Sequence, residues 1–324
     1  MSRHCTVSIV MPFRDAAATL PECIASIEAQ TFRDFEVVAI DDRSHDDSAA
    51  LCRRAGFRVL AANGLVDALN TGLAAARGTF IARMDADDVM HPERLAAQLE
   101  LIERGGHDVV ATQVELFPDD AIGAGYREYI RWQNAVLTPE DVDANLYVES
   151  PFAHPSVLMR RGFAYANGAF PEDYELWLRL HAEGRSTAKV PRVLLRWRES
   201  ATRASRTDPR YARAAFDRLR ARYLARDPRV ANAQRIVIWG AGQLSRRRVR
   251  LLVDQGIRFD AWVDIDPRKI GRQLWGIPIH PHDWLAEQRT FVLIYVTNHH
   301  ARDWISETLT GWGYRIGHDF LAVG

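Results

Sequence analysis

Acidic side chains gather at three places in the chain where their spacing suits chemistry. The clusters are Asp41-Asp42, Asp85-Ala86-Asp87-Asp88 and Glu172-Asp173. Alternating carboxylates can converge on one hard divalent cation, and oxygen ligands favour Mg²⁺ or Mn²⁺ over zinc. Such a cation neutralises charge on two phosphate oxygens as a diphosphate departs. The pattern therefore predicts metal-assisted chemistry at a diphosphate.

Two of these clusters also have a purely structural interpretation. A three-residue D-x-D pattern occurs often by chance, and residues 88–92 can simply start the next helix. Glu172-Asp173 opens a helical pattern, where the helix dipole favours an ionised carboxylate and one of the two residues can serve as a cap. A second carboxylate pair at 41–42, also at the end of a strand, shifts the balance toward function.

Strands and helices alternate through the first hundred residues. Apolar runs at 6–12, 35–40, 57–61 and 79–84 predict strands, and helical spacing of apolar residues predicts helices between them. This alternation indicates a parallel sheet, and parallel sheets bind ligands beyond the carboxyl ends of their strands. The first two acidic clusters occupy that position, so the α/β fold itself predicts that they share a site.

A new pattern begins after residue 234. Residues 207–226 are typical of one amphipathic, Arg-rich helix, and residues 227–234 of a linker. The strand RIVIW then opens a fresh βαβ unit. We expect a first domain over 1–226, a linker over 227–234 and a small Rossmann-like domain over 235–324.

The overall charge excludes one class of protein. The 324 residues contain 42 Lys plus Arg and 42 Asp plus Glu, so the formal net charge is zero. This balance argues against a dedicated nucleic-acid binder, which would show a large basic excess. Acidic side chains nevertheless dominate residues 1–191 and arginines dominate residues 192–235. Any anion site is therefore expected to be local and metal-assisted.

The chain shows no sign of membrane insertion or export. Its longest apolar runs, such as FVLIYV, have the length of a strand, and its start lacks the apolar region of a signal peptide. We expect a cytoplasmic protein, for which peripheral association at the inner face of the membrane is left open. Cys5, Cys23 and Cys52 lack metal or redox spacing and are expected to be reduced thiols.

Four segments resemble glycosyltransferase family 2, whose nucleotide-sugar-binding fold is known as GT-A. In chain order they are VSIVMPFRD with QTFRDFEVVAIDDRS, ALNTGLAAARGTFIARMDADDVMHPERL, HPSVLMRR, and FPEDYELWLRL before VLLRWRES. Several extended matches in the right order are more specific than any single motif. The resemblance implies a GT-A sheet, mostly parallel, and transfer of a sugar from a nucleotide diphosphate.

The resemblance places the donor nucleotide and the metal at the strand ends. It implies that Pro12 and Asp42 lie against the base and ribose, with Asp41 supporting the turn. It implies Asp87 as the direct metal ligand, and Asp85 as the contact to ribose or to a metal-bound water. One divalent cation, Mg²⁺ or Mn²⁺, is the expected cofactor.

Three arginines complete the expected donor site. The family commonly has an aromatic residue and Asn after the proline of the first strand, where this chain has Phe13-Arg14-Asp15. Arg14 is therefore the candidate to stack on the base. Arg203 and Arg206 follow the last sheet strand in a segment that resembles a loop closing over the donor diphosphate, and arginine suits bidentate phosphate contact.

The third acidic cluster matches the catalytic motif of the family. The resemblance implies that Asp173 is the general base and that Glu172 is its neighbour in the site. Asp173 would take the proton of an acceptor hydroxyl as its oxygen attacks the anomeric carbon, which inverts the sugar in a single displacement. His154 matches a position near the acceptor, while a hydrogen-bonded structural role is an equally good interpretation.

The second domain carries a partial dinucleotide fingerprint. Gly240-Ala241-Gly242 follows a strand and opens a helix, and Asp264 ends the next strand, where it suits a ribose 2′-hydroxyl. Ser245 stands where the fingerprint has Gly or Ala. NAD binding at this domain is therefore possible but disfavoured, and a regulatory, assembly or acceptor-positioning role is the alternative.

The sequence predicts an inverting, metal-dependent glycosyltransferase of cell-envelope polysaccharide synthesis. Its donor is expected to be a UDP-sugar, with thymidine and guanosine diphosphates left open. The acceptor can be a glycan, a lipid-linked molecule or a protein, and a homo-oligomer is possible. Two alternatives are a nucleotidyltransferase that forms sugar nucleotides, although MPFRDAAATLPE lacks the glycine-rich loop of that class, and a nucleotide-sensing binding protein that uses the Rossmann-like domain.

Overall fold

The computed structural model describes residues 5–119, 122–200 and 203–324. The chain divides into two compact units, and neither is a continuous stretch of sequence. The first unit comprises Met1–Pro139 and Pro151–Tyr211, and the second comprises Glu140–Ser150 and Ala212–Gly324. Each unit builds its own sheet.

The strands fall into two groups along the chain. In chain order they are β1 (Val7–Phe13), β2 (Phe35–Asp41), β3 (Arg58–Ala61), β4 (Phe80–Arg83), β5 (Val89–Met90), β6 (Val109–Phe117), β7 (Leu158–Arg160), β8 (Thr187–Arg198), β9 (Ile236–Trp239), β10 (Ala261–Val263), β11 (Gln273–Leu274), β12 (Ile277–His280), β13 (Phe291–Ile294) and β14 (Phe320–Ala322).

Helices connect and cover these strands. In chain order they are α1 (Leu20–Glu28), α2 (Ser48–Arg54), α3 (Leu65–Ala75), α4 (Arg94–Gly105), α5 (Ala124–Ala135), α6 (Pro139–Asn145), α7 (Glu172–Ala182), α8 (Ala204–Thr207), α9 (Arg213–Leu224), α10 (Pro228–Ala231), α11 (Gln243–Asp254) and α12 (His299–Gly311). Short 3₁₀ helices lie at His154–Ser156, Pro209–Tyr211 and His282–Glu287.

The first unit contains a mostly parallel sheet of eight strands among the residues described. The order is β3-β2-β1-β4-β7-β6-β8-β5. Strands β3, β2, β1 and β4 are parallel, whereas β7 runs antiparallel to β4 and to β6. The carboxyl ends of the four parallel strands therefore meet at one edge, as expected from their alternation with helices.

Helices bury both faces of the central strand of this sheet. All seven residues of β1 are buried, and Ile9 and Met11 belong to a core that includes Leu20 and Ile27 of α1. A continuous apolar run is what a parallel strand covered on two faces requires. Trp177 and Trp197 are also buried.

The second unit contains a doubly wound sheet. The order of its described strands is β11-β12-β10-β9-β13-β14, in which β12, β10, β9, β13 and β14 are parallel and β11 is an antiparallel edge. Counted along the chain, the parallel strands follow the order 3-2-1-4-5 of the dinucleotide-binding folds. Their core includes Val237, Val263 and Ile294.

The chain between the two sheets differs from its expected arrangement. The single helix expected over 207–226 is interrupted, because Pro209 lacks the N–H that a helix interior needs, and α9 begins only at Arg213. Helix α9 lies in the second unit, where Asp217 pairs with Arg248 of α11 at 3.0 Å. The expected linker over 227–234 contains α10, whose N-cap Asp227 accepts from the Arg229 N–H.

No helix among the described residues is both long enough and apolar enough to cross a membrane. Cys23 and Cys52 are buried, and burial raises the pKa of each thiol above its usual value.

Candidate active site

The loop after β4 carries the D-x-D carboxylates and is held from two sides. The hydroxyl of Thr19 donates to the Ala86 carbonyl at 3.1 Å. At the end of β8, the Arg198 N–H donates to Asp88 Oδ1 at 2.7 Å, and Arg198 Nε donates to the Asp87 carbonyl at 2.6 Å. These contacts fix the backbone of the loop while two of its three carboxylates stay partly accessible.

Three carboxylates of this loop, those of Asp85, Asp87 and Asp88, converge. One oxygen of each lies within 4.8 Å of the others. Burial and the neighbouring Asp85 charge raise the pKa of Asp87 to about 6, although Arg203 and Arg83 act in the opposite direction. Burial, followed by repulsion from Asp85 and Asp87, raises the pKa of Asp88 well above its usual value.

The donor set of this loop fits a hard divalent cation. All three candidate ligand atoms are carboxylate oxygens, which Mg²⁺ and Mn²⁺ prefer. Asp88 Oδ2 is buried and has no hydrogen-bond partner among the described residues, so it presents an unsatisfied acceptor within the cluster. A cation of charge +2 would remove the mutual repulsion of the three carboxylates.

A buried arginine, Arg83, adjoins the cluster. It is the last residue of β4, its side chain is 5% exposed, and its Nη1 pairs with Asp85 Oδ1. Burial lowers the pKa of the guanidinium, but the Asp85 charge and other neighbours outweigh this and raise it, so Arg83 remains a cation. The same charge lowers the pKa of Asp173, which places Arg83 close to the second acidic motif.

The second acidic motif opens α7. Glu172 is buried, and both of its carboxylate oxygens accept from the Tyr211 hydroxyl, at 2.6 and 2.8 Å. Asp173 is partly buried, and its Oδ1 accepts from the Tyr174 N–H at 2.7 Å. Burial and the charge of Glu172 raise the pKa of Asp173 to about 7. A carboxylate that titrates near neutral pH can accept and release a proton under working conditions.

The residues expected to hold the nucleotide lie at the ends of β1 and β2. Asp41 Oδ1 accepts from the Ser44 N–H at 2.8 Å, the turn-supporting contact expected of it. Asp42 Oδ1 accepts from the Gly64 N–H at 2.7 Å, just before α3 begins. Pro12 is buried beside Ile40. Arg14 is exposed, and its Nε lies 3.8 Å from Asp15 Oδ2.

The two arginines expected at the diphosphate occupy different environments. The Arg203 guanidinium stacks on Trp197, with its carbon 4.2 Å from the ring centroid, and Nη1 donates to the Tyr126 hydroxyl at 3.0 Å. Its charge lowers the pKa of Asp87, so it lies beside the acidic loop. Arg206 is exposed and pairs with buried Glu199, which Arg203 also contacts.

His154 lies in the 3₁₀ helix that precedes β7 and is buried. Its Nε2 is 2.7 Å from the Tyr165 hydroxyl, and its ring packs against Trp177. Burial, followed by the Arg83 charge, lowers the pKa of His154 well below its usual value, so the imidazole is neutral. These contacts favour the hydrogen-bonded structural interpretation, while a role near the acceptor stays a prediction.

Several residues of this site were not anticipated from the sequence. Arg83, Arg198 and Tyr211 each contact an acidic motif. The sequence offered a signal for Arg83 alone, because a charged residue inside a buried strand has to be paired. Arg198 and Tyr211 meet their partners across 110 and 39 positions of the chain, which no local pattern reveals.

In the second unit, the acidic residue expected to bind a ribose, Asp264, forms hydrogen bonds with the glycine turn itself. Gly240 has a φ of 114°, which favours glycine, and the Ala241 N–H donates to Asp264 Oδ2 at 2.9 Å. The same oxygen accepts from Lys269 Nζ at 2.9 Å, and Oδ1 accepts from the Asp266 N–H. Asp264 therefore closes the turn that ends at Gly242, the N-cap of α11.

Comparison with known proteins decides the family. Residues 8–166, from β1 to beyond β7, match the sequence profile of Glycosyl transferase family 2. Over these residues the chain carries a glycosyltransferase family 2 domain. The family assignment makes it a glycosyltransferase, which argues against the nucleotidyltransferase and against a purely nucleotide-sensing protein.

Relatives of this glycosyltransferase match more than half of the chain. The amylovoran biosynthesis glycosyltransferase AmsE of Erwinia amylovora is 29% identical over 206 residues, 60% of this chain and 75% of AmsE. The succinoglycan biosynthesis protein ExoU of Rhizobium meliloti is 30% identical over 203 residues, 55% of this chain and 57% of ExoU.

A solved structure shares the fold. The crystal structure of S. aureus TarS 1–349 in complex with UDP-GlcNAc aligns with a TM-score of 0.54 and 15% identity, over 77% of this chain and 71% of that chain. At this identity the likeness supports the GT-A architecture of the glycosyltransferase and nothing finer.

Proposed function

We propose that the chain is an inverting, cation-dependent transferase that moves a sugar from a nucleotide diphosphate to an acceptor hydroxyl. One observation carries the proposal: the buried Arg83 cation lies beside Asp85 of the acidic loop and close enough to Asp173 to lower its pKa. This supports the proposal that the expected cation ligands and the expected base share one site.

The donor in this proposal is a UDP-sugar. Asp41 and Asp42 lie at the carboxyl end of β2, where parallel sheets bind nucleotides, and Asp42 is fixed by the Gly64 N–H. The fold relative TarS has been crystallised with UDP-GlcNAc, which makes UDP the first nucleotide to test. Pro12 at the neighbouring strand end would present an apolar edge to the base, and Arg14 would reach it from the rim.

Asp85 and Asp87 would hold the cation, with Asp88 as a third carboxylate of the same cluster. A Mg²⁺ or Mn²⁺ bound there supplies positive charge to the departing diphosphate. Arg203, whose charge lowers the pKa of Asp87, would add a bidentate phosphate contact, and Arg206, which pairs with Glu199, would assist it.

Asp173 would act as the general base. Its raised pKa lets it take the proton of the acceptor hydroxyl while that oxygen bonds to the anomeric carbon. The bond from the anomeric carbon to the phosphate oxygen breaks, and its electron pair leaves with the diphosphate. Glu172 lies beside the base and is positioned by the Tyr211 hydroxyl.

The acceptor in this proposal is a growing glycan. Two relatives are named for amylovoran and succinoglycan biosynthesis, which supports a carbohydrate hydroxyl as the nucleophile. His154 lies in the Arg83 environment and would influence the acceptor pocket through Tyr165.

A thermal-shift experiment tests the donor and cation parts together. UDP, GDP and TDP are added to the full chain with Mn²⁺ or with EDTA, because a ligand that binds only the folded state raises the Tm. We expect stabilisation by UDP that needs Mn²⁺ and is lost in Asp87→Ala. The control Glu103→Ala removes an exposed carboxylate of α4 and should behave as wild type.

Transfer assays test the catalytic part. Asp173→Asn should keep the UDP-dependent shift and lose sugar transfer, whereas Glu183→Gln, directly after the same helix, should keep both. Full transfer activity in Asp173→Asn would exclude the mechanism, and a nucleotide shift that ignores Mn²⁺ would exclude the cation.

A further inference from the structure

The second unit contains a cavity away from its glycine turn. The cavity has a volume of about 660 Å³ and is lined by residues that precede strands, among them Arg235 before β9, Thr290 before β13 and Asp319 before β14. It therefore lies at the amino ends of the parallel strands, whereas the Gly240 turn follows β9 at the carboxyl end. Volumes of roughly 300–1,000 Å³ are typical of small-molecule sites.

Two guanidinium groups of this cavity have no carboxylate partner among the described residues. Arg235 Nη1 donates to Gln288 Oε1 at 3.4 Å, and Arg289 Nη1 donates to the Gln288 carbonyl at 3.1 Å. Gln288 therefore contacts both guanidinium groups, but as a neutral residue it compensates neither positive charge. Burial raises the pKa of Tyr314, and the charges of Arg289 and Arg235 act against this.

A second group of basic side chains lines the cavity, and it is balanced by a carboxylate. Arg315 Nε lies 3.1 Å from Asp319 Oδ2, and His318 Nδ1 lies 2.8 Å from Asp319 Oδ1. Asp319 is the one carboxylate among the residues that line the cavity. Arg229 also lines it but is committed to Asp227. The uncompensated charge therefore comes from Arg235 and Arg289.

We propose that this cavity binds a phosphate-bearing ligand through Arg235 and Arg289. Paired guanidinium groups present several N–H donors in a fixed geometry, which matches phosphate oxygens. Trp312 and Phe291 supply apolar wall on which the rest of the ligand can pack. The phosphate can belong to a soluble metabolite or to a lipid headgroup, and this site is separate from the proposed donor site.

Isothermal titration of the full chain with inorganic pyrophosphate tests the proposal. EDTA is present so that the acidic loop holds no cation. We expect binding by the wild type that weakens about 10-fold for each arginine removed, in Arg235→Gln, Arg289→Gln and the double variant. Affinity should fall as salt is raised, since exposed cations are screened.

Matched variants separate this site from general charge effects. The double variant Arg247→Gln/Arg258→Gln removes the same charge from two exposed arginines that do not line the cavity, and it should bind as wild type. Arg203→Gln tests whether pyrophosphate binds at the acidic loop instead. We expect this variant to bind pyrophosphate with wild-type affinity. Arg235→Lys/Arg289→Lys keeps the charge and should retain part of the affinity, with melting curves reporting the folding of each variant.

Vesicle co-sedimentation separates the two ligand sources. Phosphatidylcholine vesicles with phosphatidic acid should sediment the wild type, and not the Arg235→Gln/Arg289→Gln variant, if the ligand is a headgroup. Pyrophosphate binding without sedimentation identifies a soluble ligand. The proposal is overturned if the wild type binds neither probe, if the double variant retains wild-type affinity, or if Arg203→Gln alone abolishes pyrophosphate binding.

Discussion

Arg83 and Asp85 form an ion pair at the carboxyl end of β4, in which the arginine side chain is 5% exposed and the aspartate side chain is 28% exposed. The buried member of the pair belongs to the sheet and the accessible member belongs to the acidic loop. Because the Arg83 charge also lowers the pKa of Asp173, one side chain influences both acidic motifs.

Arg83→Gln should move the pH dependence of catalysis. Removing the cation takes away an interaction that lowers the pKa of Asp173, so the pH at half-maximal kcat/KM should rise by about one unit. Arg83→Lys should shift it less. If Arg83 had a structural role alone, the melting temperature would fall and the pH midpoint would stay in place.

The wild-type enzyme should lose activity in acid with a single ionisation. Asp173 must be deprotonated to act as a base, and its pKa is raised to about 7, so kcat/KM should fall with unit slope below that pH and level off above it. Asp173→Asn should lower transfer by about 10²–10⁴-fold and abolish this pH dependence. A profile that is flat between pH 5 and pH 8 would contradict the assignment, and Glu183→Gln should reproduce the wild-type curve.

Asp88→Asn should stabilise the protein when no cation is present. The folded state raises the pKa of Asp88 above its unfolded value, so the charged form costs folding free energy once the pH exceeds the unfolded pKa. The amide removes this cost, and Asn Oδ1 can still accept from the Arg198 N–H. In EDTA at pH 7 the Tm should rise, with a gain of about 1 kcal/mol corresponding to a few degrees.

Three comparisons check the origin of that gain. Below about pH 3 the difference between Asp88→Asn and wild type should disappear, because Asp88 is then protonated in the folded and in the unfolded state. Mn²⁺ should stabilise the variant less than the wild type. Asp46→Asn serves as a control with the opposite expected sign. The Ser48 hydrogen bond lowers the pKa of Asp46, so removal of the Asp46 charge should lower the Tm. Equal Tm values for Asp88→Asn and wild type at pH 7 would refute the interpretation.

Tyr211→Phe should destabilise the first unit through Glu172. The hydroxyl donates to both oxygens of a buried carboxylate, and loss of such a donor costs about 1–3 kcal/mol. Urea unfolding measures the change. In a double-mutant cycle with Glu172→Gln the two costs should not add, because both substitutions break the same interaction. Additive costs would show that Tyr211 acts elsewhere.

The strands at the carboxyl edge of the first sheet could be predicted from the sequence, because each strand has a local pattern of apolar residues. The strand expected over 6–12 is β1 at Val7–Phe13, and the strand expected over 35–40 is β2 at Phe35–Asp41. Parallel pairing follows from the alternation with helices, so the meeting of the β1, β2 and β4 carboxyl ends was also predictable. The family assignment agrees with the motif order along residues 8–166.

Contacts between distant segments were beyond such reasoning. Tyr211 reaches Glu172 from a 3₁₀ helix that the sequence assigned to one continuous helix, and the break depends on Pro209. The sequence placed the arginines of α9 in the first domain, which was expected over 1–226. Arg220 instead pairs with Asp217 inside the second unit, because α9 buries Ala215, Leu219 and Leu224 there.

Residues 140–150 belong to the second unit although the chain on both sides of them belongs to the first, so the second unit is built from two separate stretches of chain. Tyr147 donates to Asp227, Arg229 pairs with Asp143, and Arg220 donates to the Val148 carbonyl, so this short segment is bound into the second unit at several points. Both of its ends return to the first unit. The two units are therefore not independent segments of the chain. Unfolding of the second unit releases a loop whose two ends are anchored in the first. A chain that ended at residue 211 would expose the buried side chains of Val142 and Leu146 to water.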